Sequence, residues 1–439
     1  MSLNVIKVGK DAPPPLLMKF WAWIVGLTAL SLIYTLTMTY LFKANFPYGL
    51  PIFDKDEPYT DFTIFYERFL HFRTPSFWDA FNYPFTYPAP TGVMFALLYR
   101  LPHELFAYLA LIVVLALLGG FVLATELIKR GISRPLAFCF VATVLLTSWP
   151  LGFLLNRANI EGFVAIVLAG GVVAILRRHY WLGASFIGLA GSMKLFPLVL
   201  LALLLSKRRY KEFAWGCVVA VLTTLGSLEA LGPNLREAQL HISDGLRFFQ
   251  NEYALKMLRS EVGFDHSLFP LVKIPLVVLY GYFHHHLAIS ASADGSHGHL
   301  GDAASGLIQV ALRLYLGITA VAGTVAYFLW IRKLPMLNQV LVLTVCAVVL
   351  PPVSYDYTLI HMLLPFGLLC VYTAELWRNG DQARGLTSCF ACFAVIFTAE
   401  AYLTVGIRFA GQVRAICLLA LLIFVMRYRF TWGALEEAN

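Results

Sequence analysis

Apolar runs of membrane-crossing length recur along this chain with basic clusters between them, and that alternation limits what it can fold into. A hydrocarbon core of about 30 Å takes about 20 apolar residues per helix. Runs near 16–42, 104–127, 135–154, 160–176, 212–231, 306–331, 337–353, 358–376, 386–405 and 411–427 meet that measure and predict about ten spans. Composition agrees: 59% of the 439 residues are hydrophobic and 13% are charged, against about 45–50% and 25% in soluble domains. So few polar groups cannot coat a water-facing surface. The expected fold is an all-α polytopic membrane protein, a single transmembrane domain over 1–439. A disordered chain and a disulfide scaffold are excluded.

The basic residues set the expected orientation. Lys7, Lys10 and Lys19 lead into the first run. That run is too long for a signal-peptide core and no small-x-small cleavage site follows, so it reads as an uncleaved anchor. Further clusters are Lys129/Arg130/Arg134, Arg177/Arg178, Lys207/Arg208/Arg209/Lys211, Arg332/Lys333, Arg378/Arg384 and Arg427/Arg429. The positive-inside rule places all of them, and the N-terminus, in the cytoplasm. The net charge of +8 is then a topological signature, and no nucleic-acid partner is expected.

Two segments resist simple threading. Residues 181–206 are apolar with basic clusters at both ends, interrupted by Met193-Lys194-Leu195-Phe196-Pro197. They read as a re-entrant hairpin or broken helix turning at Lys194, which is tolerated only where the backbone is buried in protein or lines a wet cavity. Residues 89–101 read as a short interfacial or re-entrant helix. The other face receives two long loops, 43–90 and 232–305. The second holds an apolar stretch, 268–289, suited to the interface or to a hairpin, and a Ser/Gly/Ala/His-rich tail, Ser290 to Ser305. All seven cysteines lie in apolar runs. Even Cys389-x-x-Cys392 reads as packing there.

Ionisable groups at membrane depth are costly and usually functional. Lys194 is the clearest, placed to meet a phosphate arriving from the lipid. Snorkelling is the alternative, but from mid-membrane its stem would hardly reach water. Asn156-Arg157-Ala158-Asn159-Ile160-Glu161 is richer in polar groups than a turn needs and is a candidate ligand lining. In the first loop, Asp54, Asp56, Glu57 and Asp61 precede Phe62, Phe65, Tyr66 and Phe69, then Trp78, Phe81, Tyr83, Phe85 and Tyr87. Carboxylates accept hydroxyl protons and rings stack on sugar faces, so the mixture suits carbohydrate, with Tyr66 and Tyr87 as substrate-binding rings. An interfacial aromatic belt is the competing reading. Asp61, beside Phe62 in the apolar part of the loop, is the candidate catalytic base. Asp54, Asp56 or Glu57 stays open as an alternative. Pro351-Pro352 should end a helix, presenting Asp356 and His361 to the same vestibule, although Asp356 could equally be a helix cap. His284, His285, His286, His297 and His299 lack carboxylate or cysteine partners, so no metal site is expected. No nucleotide-binding loop, HExxH or Gly-x-Ser-x-Gly motif occurs.

Taken in order, these stretches resemble the polytopic GT-C glycosyltransferases, specifically the bacterial glycosyltransferase family 87 (GT87). Asp61 to Tyr66 (DFTIFY) is similar to that family's Asp-Phe-x-x-Tyr-Tyr, and Tyr83 to Pro90 (YPFTYPAP) to its Tyr-x-Tyr-Pro-Pro. Asn156 to Glu161 lies where the family has Gly-Gln-x-Asn, here without the Gly-Gln pair. Leu182 to Pro197 (LGASFIGLAGSMKLFP) resembles Leu-Ala-Gly…Ile-Lys-x-x-Pro. Asp265 to Leu268 resembles Asn-Gln-Ser-Leu. Pro351 to His361 resembles Ser-Pro-Ile-Ser-Trp-x-His-His, with His361 in place of the tandem His. The resemblance covers 20–375 and implies a GT-C-like bundle with re-entrant or interfacial helices. It also implies a bacterial cytoplasmic-membrane location with the active site extracytoplasmic. The reaction implied is inverting transfer of a sugar, typically mannose, from a polyprenyl-phosphate sugar donor in membrane lipid to a glycan or glycolipid acceptor. Asp61 would act as base, Lys194 and Arg157 would oppose the leaving phosphate, and Asn156, Asn159, Glu161, Tyr66, Tyr87, Asp356 and His361 would line the substrate. No cofactor is expected.

Two other classes compete. A multi-pass transporter or lipid-linked sugar flippase also uses broken helices, but it predicts two matching halves, and no internal repeat is evident. A scaffold subunit, or a glycan polymerase or ligase, would differ in whether the isolated chain turns over a polyprenyl-linked sugar.

Overall fold

The structure is a computed structural model that describes residues 14–43, 58–78, 83–256, 263–284, 289–291, 298–300, 302–381, 383–405 and 407–433. Lys7, Lys10, Asp54, Asp56, Glu57, Phe81, His285, His286 and His297 lie outside the described residues. Within them the chain is helical apart from two minimal hairpins, Ile289–Ala291 with Gly298–Leu300 and Thr404–Val405 with Ile407–Arg408, and an isolated bridge between Asp265 and Tyr355.

Among the described residues, six helices are long and apolar enough to cross a membrane: Pro15–Leu41, Glu104–Lys129, Tyr210–Leu231, Ala304–Lys333, Asp356–Asn379 and Ala410–Arg427. This is an integral membrane protein. The count of ten is not reached, for local reasons. The run at 135–154 is two helices, Arg134–Thr147 and Trp149–Arg157, bent by 49°. Ser148 between them is extended and its hydroxyl accepts from the Leu151 N–H at 3.4 Å, capping the second helix. Runs 160–176, 337–353 and 386–405 become shorter helices, Glu161–Leu176, Met336–Val349 and Leu386–Phe397. Pro351-Pro352 stops the second of these, and the third gives way to the hairpin at Thr404. The 268–289 stretch becomes one helix, Phe269–His284, packed on Asp302–Leu329 through Phe269, Val277, Ile308 and Leu312.

The segment around Lys194 turns back on itself. The Tyr180–Met193 helix packs between Glu161–Leu176 and Tyr210–Leu231. A Cβ on Gly188 would run into the Gly216 carbonyl, so these backbones touch. In lipid, where water drives no association, such close approach of small residues is what binds helices. At Lys194 the backbone becomes extended (φ −146°, ψ 131°), followed by a 3₁₀ stretch Phe196–Leu201 and a short helix Ala202–Ser206. Leu198 fills the space over Gly191 and Leu201 that over Gly216, so the chain doubles back. The Thr91 hydroxyl donates to the Met193 carbonyl at 3.0 Å, satisfying a group the break leaves open. Thr91 belongs to the short Ala89–Leu98 helix, which packs against Tyr210–Leu231.

The first-loop aromatics form a core. Phe62, Phe65, Phe69, Phe77 and Phe85 are buried and pack on one another and on Phe95 and Tyr99. Arg68, also buried, donates to the carbonyls of Phe77 (2.6 Å) and Tyr83 (2.9 Å) and so ties the two arms of the loop. These phenylalanines hold the loop together and offer no face to a sugar. The strand of chain leading to Tyr87 is seated from outside by the Leu235–Phe249 helix, where a Cβ on Gly245 would overlap the Phe85 carbonyl. Gly245→Ala is therefore expected to displace the 83–88 stretch, at an overpacking cost of about 1–3 kcal/mol. A lowered melting temperature of the detergent-solubilised protein would register it; an unchanged one would show that the loop gives way freely.

Candidate functional site

Asp61 is placed by its neighbour. Phe62 is buried, stacked on Tyr108 at 5.4 Å between ring centres and edge-on to Tyr99 and Phe95. With Phe62 turned inward, Asp61 in the first turn of the Thr60–Thr63 helix reaches the end of the Trp149–Arg157 helix. The Tyr59 N–H donates to the Asn156 carbonyl at 2.7 Å, which latches the loop there. Arg157 donates to Asp61 Oδ1 through Nε (3.1 Å) and Nη2 (2.5 Å), and Asn159 Nδ2 donates to Oδ2 at 2.6 Å.

Asn159 is the hinge of the arrangement. It is buried, its Oδ1 accepts from the Glu161 N–H at 2.9 Å and so starts the next helix, and its Nδ2 also lies 3.3 Å from the Tyr87 hydroxyl. Only an amide supplies an acceptor and a donor at those two points. Tyr108 OH donates to the Asn159 carbonyl at 2.5 Å. Ala158 takes the left-handed conformation that lets the chain turn (φ 49°).

Glu161 carries the network across. Its side chain is fully buried, with Lys194 Nζ 2.9 Å from one oxygen and His361 Nε2 2.6 Å from the other. Lys194 Nζ also stands 5.2 Å from the Tyr87 ring centre and 5.8 Å from that of Tyr357, within cation–π range. Thus Asp61, Arg157, Asn159, Glu161, Tyr87, Lys194 and His361 form one connected cluster from five separate stretches of chain. Its rim is open: the side chains of Arg157, Lys194 and Asp61 are 30%, 20% and 15% exposed. Chemically, it presents carboxylates, cations and phenols at one place.

Three candidates stand elsewhere. Tyr66 packs edge-on against Tyr99 and takes no part in the bonds that hold the cluster. Asn156 contributes its carbonyl to the Tyr59 latch. Asp356 belongs to a second, fully buried network, where its Oδ2 accepts from Arg414 Nη1 at 2.6 Å and from Trp149 Nε1 at 2.7 Å. Arg414 Nη2 also meets Glu400 at 2.5 Å and the Thr398 carbonyl at 2.8 Å. His266 Nδ1 lies 3.6 Å from Asp356, and its Nε2 is 3.1 Å from both Ser354 and Thr358 hydroxyls. Asp265 Oδ1 accepts from the Ser267 and Ser354 N–H groups (2.8 and 2.9 Å). Burial pushes the Asp265 carboxyl up to about 7 despite these donors. This second network fastens the 263–268 and 351–358 stretches together beside the turn that carries His361.

Sequence reasoning missed Tyr108, Arg414 and Glu400. For the last two a signal existed, since both interrupt apolar runs as Lys194 does. Of the histidine tract, His284 has a described side chain, and among the described residues no group of three His, Cys, Asp or Glu side chains could hold a metal ion.

The family model for glycosyltransferase family 87 matches residues 85–354. The chain belongs to glycosyltransferase family 87. The matched region contains Tyr87, Arg157, Asn159, Glu161 and Lys194, while Asp61, Asp356 and His361 lie outside it. Over 158 residues this family 87 glycosyltransferase is 27% identical to the polyprenol-phosphate-mannose-dependent alpha-(1-2)-phosphatidylinositol pentamannoside mannosyltransferase of Mycobacterium tuberculosis (strain CDC 1551 / Oshkosh). The alignment spans 36% of this chain and 36% of that relative. No solved structure matches the chain.

Proposed function

We propose that this family 87 glycosyltransferase moves a mannosyl group from a polyprenyl phosphate to a hydroxyl of an extracytoplasmic glycan or glycolipid, with inversion. The observation that carries the reading is the single network joining Asp61 to Lys194 through Asn159 and Glu161, at the point where the chain turns back within the bundle. The mycobacterial relative's dependence on polyprenol-phosphate mannose supports the donor. On this reading Asp61 takes the proton from the acceptor hydroxyl. The hydroxyl oxygen then bonds to the anomeric carbon as the bond to the phosphate oxygen breaks, and polyprenyl phosphate leaves with that electron pair. Lys194 and Arg157 face the phosphate charge that develops, while Tyr87 and His361 border the sugar. Glu161 is a positioning residue, since its side chain is wholly buried against Lys194 and His361, whereas that of Asp61 is 15% exposed at the open rim. The topology that suits this chemistry has a cytoplasmic N-terminus, extracytoplasmic loops at 43–90 and 232–305, and the shorter helices completing a GT-C-like bundle of about ten membrane segments in a bacterial cytoplasmic membrane.

The test is incubation of the purified protein with radiolabelled polyprenyl-phosphate mannose and a membrane extract, beside a nucleotide-sugar control. Label should pass to a glycan or glycolipid from the lipid donor alone. A folded protein that yields no product from any polyprenyl-phosphate sugar would overturn the proposal. Lys194→Met should lower kcat by about 10²–10³-fold, the size of losing one electrostatic stabiliser, and it should also destabilise by leaving Glu161 buried without its cation. Lys194→Met with Glu161→Gln should regain the melting temperature but not the rate. A double variant with wild-type rate would show that Lys194 serves the fold alone.

A further inference from the structure

The Leu235–Phe249 helix runs on into a π-helical turn, Gln250–Lys256. Such turns are frequent at functional sites, because the extra residue re-aims the side chains around it. This one carries Tyr253 to the edge of the Asp61 cluster. The helix is anchored to the first loop along its length. Trp78 Nε1 donates to the Gly232 carbonyl at 2.8 Å, the Trp78 and His241 rings stack at 5.0 Å, and Gly245 lies against the Phe85 carbonyl. Behind the turn, buried Lys273 donates to the Ala254 carbonyl at 2.8 Å. Tyr253 is thus held from both sides.

Its ring stacks on Phe249 at 4.7 Å and stands edge-on to Tyr355 at 6.2 Å. Tyr355 in turn meets Tyr357 at 6.1 Å, whose ring lies 5.8 Å from Lys194 Nζ. A half-buried row of phenols therefore leads from Tyr253 to the far end of the cluster. The Tyr83 hydroxyl, itself bonded to Thr86, donates to the Tyr253 oxygen at 2.9 Å, and that bond is only part-buried. With its oxygen already accepting, Tyr253 keeps its own O–H to donate. Burial raises the Tyr253 phenol above its usual value. The bond from Tyr83 and the charge of Arg157 oppose the rise, and Asp61 adds to it. The hydroxyl is therefore neutral, and it stands within the field of the Asp61–Arg157 pair. Packing alone would be served by apolar rings, as Phe248 serves it edge-on to Tyr83 at 5.4 Å.

We infer that Tyr253 is an acceptor-binding residue: its hydroxyl, directed by Tyr83, donates to a second hydroxyl of the sugar ring whose attacking hydroxyl meets Asp61. The acceptor is then a polyhydroxylated ring and not a simple alcohol. Tyr253 belongs to the 232–305 loop, which the proposed topology leaves outside the membrane, within reach of a glycan or a headgroup sugar. Lys194 stands at the turn within the bundle, where a lipid donor arrives. This role rests on the proposed transfer reaction.

Two measurements on the full-length protein test it. In the first, a membrane extract is titrated as acceptor at fixed polyprenyl-phosphate mannose, and the donor at fixed extract. Tyr253→Phe should raise the apparent KM for the acceptor by about three- to tenfold, the size of one neutral hydrogen bond, and leave that for the donor in place. Tyr83→Phe combined with Tyr253→Phe leaves neither hydroxyl without its mate and should show the same rise. An unchanged acceptor KM in both variants, or acceptor and donor KM rising together, would overturn the assignment. The second measurement needs no turnover. Tyr253 is nitrated with tetranitromethane and read by mass spectrometry, beside the exposed Tyr282 as internal control. The extract should protect Tyr253 and not Tyr282. Extract treated with periodate and borohydride, which opens rings at neighbouring hydroxyls, should protect neither. Equal nitration of Tyr253 with and without extract, or protection that survives periodate, would overturn the assignment. Periodate-sensitive protection without transfer from any polyprenyl-phosphate sugar would keep the sugar contact at Tyr253 and overturn the transfer reaction alone.

Discussion

Asp61→Asn should reduce sugar transfer by about 10²–10⁴-fold, the range expected when a general base is lost. The substitution keeps the shape of the side chain, and the remaining oxygen can still accept from Arg157. The new amide nitrogen would face Asn159 Nδ2, which cannot turn away because Asn159 Oδ1 is held by the Glu161 N–H. One donor is thereby left unmatched, for a stability loss of about 1–3 kcal/mol, so the rate must be compared at a temperature where both proteins are folded. Asp61→Glu retains a carboxylate one methylene further out, and a partial rate there with none in Asp61→Asn would separate the base from the packing. Full activity in a folded Asp61→Asn protein would eliminate Asp61 as the base and turn attention to Asp54, Asp56 and Glu57.

The largest stability effect is expected at Arg414. Arg414→Met leaves Asp356 and Glu400, at 0% and 2% exposure, without their cation, and breaking such a buried pair costs about 3–5 kcal/mol. Arg414→Lys should not rescue it, because one ammonium cannot reproduce the fork that reaches Asp356, Glu400 and the Thr398 carbonyl together. Neutralising the partners as well, with Asp356→Asn and Glu400→Gln, should recover much of the loss. Thermal melting of the solubilised protein decides this, and a shift within error for Arg414→Met would show that the network is dispensable. The turn from Asp356 to Met362 ends beside His361, so looseness there should also reach the Glu161–His361 contact.

Much of the candidate site was legible because lipid penalises polar side chains. Lys194 in an apolar run and the Asn156–Glu161 cluster between two runs stand out by that rule alone, and the structure brings Arg157, Asn159, Glu161 and Lys194 together. The same rule, applied evenly, would have picked out Glu400 and Arg414. It could not have told Tyr87 from Tyr66. Both follow the same aromatic pattern, and the difference arises from which face of the loop the phenylalanine core turns inward. Nor could it have assigned Asp356 to Arg414, 58 residues away in sequence.

By itself the sequence determined the solvent this protein lives in, the class of its fold and the charges that need a reason to be there. These follow from composition and spacing, which act through local hydrophobicity. Only the tertiary structure decided which charge meets which, where helices stop short of a full span, and that two networks exist, one with an open rim and one fully buried, where one vestibule was expected. Those are matters of contact between segments far apart in the chain. They are settled by packing, by the reach of individual side chains and by the need of every buried polar group for a partner.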